Sequence, residues 1–379
     1  MLGPEHFDGE AVGQGDQRGG DLRAGERELQ ALVVGGGQAG LAAAYYLSRA
    51  KVPHLVLDAE RRVGDAWRRR WDSLELFSAA RYSALPGLPF PGDPEHFPGK
   101  DEVADYLEGY ARTFQLPVTL NARVRSLRVV AGGYRLDTDA GAYQGGQVIV
   151  ATAAYQHPVV PRLAAKLSGD VVQLHSAACR NPQQLASDQV LVVGSANSGA
   201  QIAEDLAASH RVHLSRGQRL PRLPRRLLGK SLHWWGDHLG LLTAPLEGSW
   251  RGHTQRGDLL IGTSLGQLAR RHGVRLLGRT VDVQGRTVRF QDGQTLRPEA
   301  VVWATGFRPD YAWIRVPDAV DERGAPVHRR GVTPAPGLYF LGMHNQYSRG
   351  SSLIGFVRHD ASFIVDRSCQ RLAGRPRHS

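Results

Sequence analysis

Two cysteines, Cys179 and Cys369, are all that the 379 residues contain, and they form no Cys-x-x-Cys pair. That scarcity excludes a disulfide framework, a thiol relay and a cysteine-based zinc site, and makes a reducing cytoplasm the expected location. Long apolar runs are missing too. The segment from Ala31 to Leu47 is broken by glycines and is too short to span a bilayer, so no transmembrane segment is expected. Residues 1–27 lack an apolar period and the build of a secretory signal, which predicts a mobile tail. Acidic charge is in deficit, with 47 Lys and Arg against 36 Asp and Glu, a formal net charge of +11. The basic residues are dispersed apart from RLPRLPRR at 219–226, and no nucleic-acid module accompanies them. Nucleic acid is therefore not an expected partner, and no ligand spacing predicts a metal.

What is present is a strand–turn–helix device, written twice. In ALVVGGGQAGLAAAYYL (31–47) an apolar run meets a G-x-G-x-x-G turn made by Gly35, Gly37 and Gly40. The first glycine permits a tight turn, the second lets backbone approach a pyrophosphate, and the third lets helix pack on strand. The helix N-terminus adds free N–H groups and partial positive charge. Asp58 closes the next strand, where a carboxylate can hold ribose hydroxyls.

The second copy, VLVVGSANSGAQIAEDL (190–206), keeps Gly194 and Gly199 but carries Ala196 at the middle position. A methyl group at the closest approach predicts a weaker phosphate site rather than a lost one. Its following strand, RVHLSRG (211–217), ends without an acid. Ser215 and Arg216 stand there instead, with Arg219 and Arg222 beyond, a pattern that favours NADPH over NADH. Two such sites in one chain predict a flavin in one and a nicotinamide in the other. The expected fold class is α/β, with two Rossmann-like dinucleotide-binding domains, the second inserted in the first, and a small antiparallel meander. The expected limits are 28–160 with 300–379 for the FAD-binding domain and 161–299 for the NADPH-binding domain.

Several motifs in order sharpen this reading: GGGQAG, GDAWRRRWDSLELF (64–77), PGLPFPG (86–92), VIVATAAYQHPVVP (148–161), LHSAACRNP (174–182), VVGSANSG, VVWATGFRPD (301–310) and GLYFLGMHNQYSRGSSLIGF (337–356). Together they resemble the flavin-containing monooxygenase family (class B flavoprotein monooxygenases), especially its compact bacterial FAD/NAD(P)-dependent branch. The resemblance implies FAD held by Gly35, Gly37, Gln38, Ala39, Gly40, Asp58, Ala66, Trp67, Val124 and Gly342. It implies NADPH held by Gly194, Ser195, Asn197, Ser198, Gly199 and Arg216, with Ala304, Thr305 and Gly306 linking the domains. The implied activity is NADPH-dependent monooxygenation. One oxygen atom from O2 passes through a flavin C4a-hydroperoxide to nitrogen, sulfur or a carbonyl carbon of a small organic substrate. The resemblance leaves room for a homodimer.

Departures from the family pattern keep a second reading open. The fingerprint around residues 167–179 retains Gly169 and His175 but has Leu167 for Phe and Cys179 where relatives carry Tyr. Ala153 replaces a glycine, and Phe77 and Ser78 lie where some members place an oxygen-controlling Asn. His175 and Ser78 are the catalytic candidates. His175 reads equally as a structural histidine, Cys179 as a small buried residue. His344, Asn345 and Gln346 either face the flavin or cap a turn, and HWWGDH (233–238) reads as a substrate-facing lid or a packing loop. The alternative activity is an NADPH-dependent flavoprotein reductase or dehydrogenase passing electrons to a quinone or a protein. A non-catalytic nucleotide sensor is a third.

Overall fold

The structure, a computed structural model, describes residues 29–217, 220–247 and 259–374. The tail expected at 1–27 and Arg219 lie outside them. Along the chain, β1 (Ala31–Val34), α1 (Gln38–Arg49) and β2 (His54–Leu57) make the first strand–helix–strand unit. After α2 (Lys100–Thr113) come β3 (Val118–Thr119), β4 (Val124–Val130), β5 (Gly133–Thr138), β6 (Gly141–Gly145) and β7 (Gln147–Val150). The second unit contains β8 (Val172–His175), β9 (Gln189–Val193), α3 (Asn197–Leu206) and β10 (Arg211–Ser215). It continues with α4 (Leu232–His238), α5 (Leu265–His272) and β11 (Arg275–Leu277). Next come β12 (Thr280–Gln284), β13 (Thr287–Phe290), β14 (Thr295–Leu296) and β15 (Ala300–Trp303). The chain ends its regular structure with β16 (Leu338–Phe340) and α6 (Val357–Ala373).

Two five-stranded sheets organise these elements, in the orders β16-β7-β1-β2-β3 and β11-β10-β9-β15-β8. Every neighbouring pair in both sheets is parallel. Their central strands are buried on both faces, which is why ALVV and VLVV read as unbroken apolar runs. In each sheet the glycine turn follows a strand (β1 or β9) whose two neighbours are reached in opposite directions. That is the topological switch point, where α/β sheets place ligands at the carboxyl ends of strands. α1 is rich in alanine because it is covered on several sides: Leu41, Ala42, Ala43, Ala44 and Leu47 are wholly inaccessible. Each of the two leucines contributes roughly 1.5–3 kcal/mol by leaving water.

Two expectations are corrected. Ala300–Trp303 was assigned to the first domain, but β15 pairs with β9 and β8 inside the second sheet. A four-residue buried strand looks alike in either sheet, so composition could not place it; the chain crosses back only after Gly306. Residues 147–150 were read into the meander, whose antiparallel strands are β4–β6, with Ile314–Arg315 added parallel to β4, while β7 joins the parallel sheet. Among the described residues no helix is long and apolar enough to cross a membrane.

Candidate functional site

The first glycine turn is held by backbone. Gly35 has φ +107°, and a Cβ there would stand 2.7 Å from the Ala151 carbonyl oxygen. A Cβ on Gly40 would overlap the Gly35 carbonyl. Gly37 differs, since a methyl group there meets nothing within 4 Å, so its freedom faces outward. Asp58, almost wholly buried, accepts the N–H groups of Gly36 (3.0 Å) and Glu60 (3.1 Å), and burial raises its pKa. A side chain on Gly36 would overlap that carboxylate, a constraint the three-glycine run concealed. The Ala122 N–H donates to the Asp58 carbonyl at 2.8 Å, bringing the segment before Val124 to this corner. Gly342 (φ +77°) approaches α1 so closely that a Cβ would lie 2.6 Å from that of Ala39.

The second turn repeats this geometry. Gly194 has φ +110°, and a Cβ on Gly199 would overlap the Gly194 carbonyl. Ala196 sits at φ −76°, ψ −175°, against −79° and −171° for Gly37. Alanine adopts that conformation without strain. Neither α1 nor α3 has a side-chain N-cap or an acid in its first turn. By contrast, Glu102 bonds the Gly99 N–H ahead of α2, and Ser231 and Ser264 cap α4 and α5. The two glycine-turn helices thus keep uncapped first-turn N–H groups, the donor set an anionic pyrophosphate requires. Both cradles fit a dinucleotide.

Beside the second turn an open cleft of about 510 Å³ is lined by Gly194, Ser215, Arg216, Arg279, Trp303 and Thr305, among others. Two expected contacts are corrected here. The Ser215 hydroxyl is buried, bonded to the Thr280 hydroxyl (2.8 Å) and the Gly278 carbonyl (3.0 Å), so it serves the fold. The Asn197 side chain is bonded at both ends to the segment at 259–261: Nδ2 donates to the Leu259 carbonyl and Oδ1 accepts the Ile261 N–H, each at 2.9 Å. Only backbone of Asn197 remains for a ligand. Ser195 is buried in the turn, and Ser198 and Gly199 begin α3. Arg222 reaches the Gly262 carbonyl at 3.4 Å.

Two linkers join the units side by side. His157–Pro158 pairs antiparallel with Phe307–Arg308, Val159 N–H donates to the Gly306 carbonyl (2.9 Å), and Thr305 Oγ1 donates to the Val159 carbonyl. Ala304 N–H bonds the Val193 carbonyl at 2.8 Å, and Gly306 takes φ +84°. His175 spends both ring nitrogens on backbone. Nδ1 accepts the Ala177 N–H (3.1 Å), which puts the proton on Nε2, and Nε2 donates to the Gly306 carbonyl (3.0 Å). Burial lowers its pKa. The catalytic candidate is thus a neutral clamp on the linker. Arg70, which lies in the motif at 64–77 but was given no role there, lies over the rings of Tyr155 (5.6 Å) and Phe307 (5.3 Å), one from each linker. Ala153 holds φ +56°, the left-handed region its missing glycine would occupy freely.

Ser78 Oγ lies 2.9 Å from Ser83 Oγ, itself bonded to the Ala79 carbonyl, so the other catalytic candidate is also engaged. Trp67 touches the cores of both units, while Ala66 is exposed. HWWGDH forms helix α4, with His233 buried and stacked on Phe77 at 5.7 Å, next to Tyr82. It therefore packs the second unit against residues 77–82 of the first. Gln346 caps its turn, bonding the Phe340 carbonyl and the Met343 N–H, Asn345 takes φ +54°, and His344 is exposed. Cys179 is buried, its thiol pushed up to about 11 by burial. Gln38 opens α1, half-buried at the mouth of the first turn. Among the described residues no cluster of three His, Cys, Asp or Glu could hold a metal.

Comparison with known proteins agrees with this geometry. Residues 32–221 match the family described as pyridine nucleotide-disulphide oxidoreductase. An oxidoreductase of Geobacillus kaustophilus named CzcO-like is 42% identical over 339 residues, 89% of this chain and 97% of its own. An indole-3-pyruvate monooxygenase of Oryza sativa subsp. japonica is 27% identical over 370 residues, 85% of this chain and 88% of its own. The solved flavin-containing monooxygenase from Stenotrophomonas maltophilia is similar with a TM-score of 0.74 and 26% identity, across 91% of this chain and 99% of that one.

Proposed function

This chain belongs to the pyridine nucleotide-disulphide oxidoreductase family, alongside the CzcO-like oxidoreductases, and from that premise we propose that it is an FAD- and NADPH-dependent monooxygenase of a small organic substrate. The observation that carries the reading is the pair of glycine turns with matching backbone and uncapped helix N-termini, one in each parallel sheet. Bound to the first unit, FAD would take a hydride from NADPH on the second and activate dioxygen for transfer of one oxygen atom.

The protein's own part is binding, orientation and exclusion of water. The N–H groups from Gly37 to Gly40 take the FAD pyrophosphate, Asp58 the adenosine ribose, and the segment at Val124 the adenine. Trp67 lies at the junction of the two cores, Ala66 beside it, and Gly342 closes the cradle from the last strand. The turn from Gly194 to Gly199, with Ser195 and Ser198, takes the second pyrophosphate through backbone, and Arg216 stands at its phosphate end. Ala304, Thr305 and Gly306, clamped by His175, set the angle between the two units.

A purified protein that is yellow, is bleached by NADPH and yields oxygenated product in step with NADPH use supports this reading. Protein that binds no FAD would sink it. The commitment of His175 and Ser78 to protein partners favours one alternative, an NADPH-dependent flavoprotein reductase. Anaerobic turnover with a quinone, together with hydrogen peroxide as the sole aerobic product, would establish that alternative instead.

A further inference from the structure

We propose that the hairpin at 226–231 is a docking tip for an anionic membrane surface, an inference independent of the reaction proposed above. The two-residue strands Arg226–Leu227 and Lys230–Ser231 pair antiparallel, leaving Leu228 and Gly229 as the turn. Both turn residues have positive φ, +50° and +75°, the demand of a type I′ turn, which favours Asn-Gly or Asp-Gly. Gly229 meets that demand at no cost, whereas leucine is among the residues that avoid the left-handed region. Leu228 is also 82% exposed, and Leu227 beside it 48%. A scattered exposed leucine is ordinary. One held in a strained conformation that gains no burial serves neither the turn nor the core, which points to a partner outside the chain.

Charge and shape identify that partner. The basic run at 219–226 leads into the hairpin. Within it Arg225 is spent on Glu75 (2.6 Å), and Glu95 nearby is paired with Arg81 (3.1 Å). Arg222, Arg226 and Lys230 are exposed and pair with no carboxylate among the described residues. The two arginines donate to the carbonyls of Gly262 (3.4 Å) and Glu95 (2.6 Å), and Lys230 Nζ lies 5.7 Å from the centre of the Trp234 ring. Trp235 donates its Nε1–H to the Leu227 carbonyl (2.9 Å), setting a partly exposed indole at the base of the tip. Leucines ahead, with indole and cations behind, match the order in which a bilayer offers acyl chains, interface and phosphates. A nucleic acid would take the cations and leave the leucines wet. A protein partner needs roughly 800 Å² on each side. This tip, where a Cβ on Gly229 would meet nothing within 4 Å, offers a point rather than a face. Ser231 ends the hairpin and caps α4, which buries His233 against Phe77, so docking brings the junction between the two units close to the lipid.

The test is flotation of the full chain with vesicles of phosphatidylcholine, alone or mixed with the anionic lipid phosphatidylglycerol. The wild type floats with the anionic vesicles at low salt, and high salt releases it. Leu228→Asn, which installs a residue the turn favours, weakens that binding about ten-fold, the worth of one leucine leaving the acyl region, while the melting temperature holds or rises. Replacing Arg222, Arg226 and Lys230 together by Gln weakens it about a hundred-fold, at roughly five-fold for each cation. Because Leu228→Asn relieves the turn, its loss of binding cannot be ascribed to misfolding. Absence of wild-type binding, equal binding to phosphatidylcholine alone, or undiminished binding by Leu228→Asn each overturns the proposal. A wild type that ignores vesicles but forms a dimer, split by Leu228→Asn, also overturns it and assigns the tip to a second copy of the chain. None of these outcomes touches the flavin reading, which stands or falls on bound FAD.

Discussion

Gly37 and Ala196 share one backbone conformation, and that identity separates what the fold needs from what a ligand needs. Gly37→Ala introduces a methyl group that touches no protein atom, and the conformation suits alanine. Loss of a glycine N-cap and the gain from a stiffer unfolded chain oppose each other, each at about 1 kcal/mol or less. The variant should unfold within about 1 kcal/mol of wild type yet purify with several-fold less flavin absorbance. Full flavin content would mean that no phosphate comes close to this residue. Gly40→Ala, by contrast, should fail to fold, because its methyl group overlaps the Gly35 carbonyl. Ala153 presents the converse case, a side chain held at φ +56°. The left-handed region costs an L-residue roughly 1–2 kcal/mol, of which glycine's extra freedom in the unfolded chain returns about half. Ala153→Gly should therefore raise stability to denaturant by about 0.5–1 kcal/mol, and an unchanged or lower midpoint would show that the linker relaxes around the alanine.

The elements that carry the site are the two helices after the glycine turns, whose first turns hold neither a side-chain cap nor an acid. Placing a cap on α3 tests that directly. Ala196→Asp puts a carboxylate at the N-cap, where its oxygen bonds a first-turn N–H and its charge meets the helix dipole, a gain of roughly 0.5–2 kcal/mol. The same carboxylate occupies the donors and repels a pyrophosphate. The melting temperature should rise while binding of NADPH falls at least ten-fold, and a variant that gains stability with NADPH affinity intact would remove α3 from the site. Strand, turn and helix were legible at 31–49 and 190–206 because buried parallel strands are continuously apolar and glycine turns are punctuated. Contacts made by side chains onto distant backbone were not. Ser215 answers to residues 278 and 280, Asn197 to 259 and 261, and His175 to 306, and nothing local in the sequence marks such partners.

At the scale of the whole molecule, the two units are joined through linkers, Arg70 and α4, and the last of these buries a histidine between them. His233 has its pKa lowered to about 4 by burial, and its Nδ1 has no hydrogen-bond partner among the described residues. Burial also lowers the pKa of His54, His175, His213, His328 and His359. A histidine depressed in the fold takes up its proton in the unfolded chain first, near pH 6.5. Stability is therefore complete above about pH 7, declines as pH falls through 6.5, and stops declining below the folded pKa. For His233 that window runs from 6.5 down to about 4, and the loss is at most roughly 3 kcal/mol. Asp58 and Asp205, raised by burial, titrate with the opposite sign and soften the fall. The lowered carboxyls of Asp137 and Asp139 act below it. Melting temperature should therefore drop steadily from pH 7.5 to pH 4.5. His233→Gln, which cannot titrate, should start lower at pH 7.5 through lost stacking on Phe77 but fall along a shallower slope. Parallel slopes would mean that His233 is charged or solvated in the folded protein, and that α4 does not seal the junction between the units.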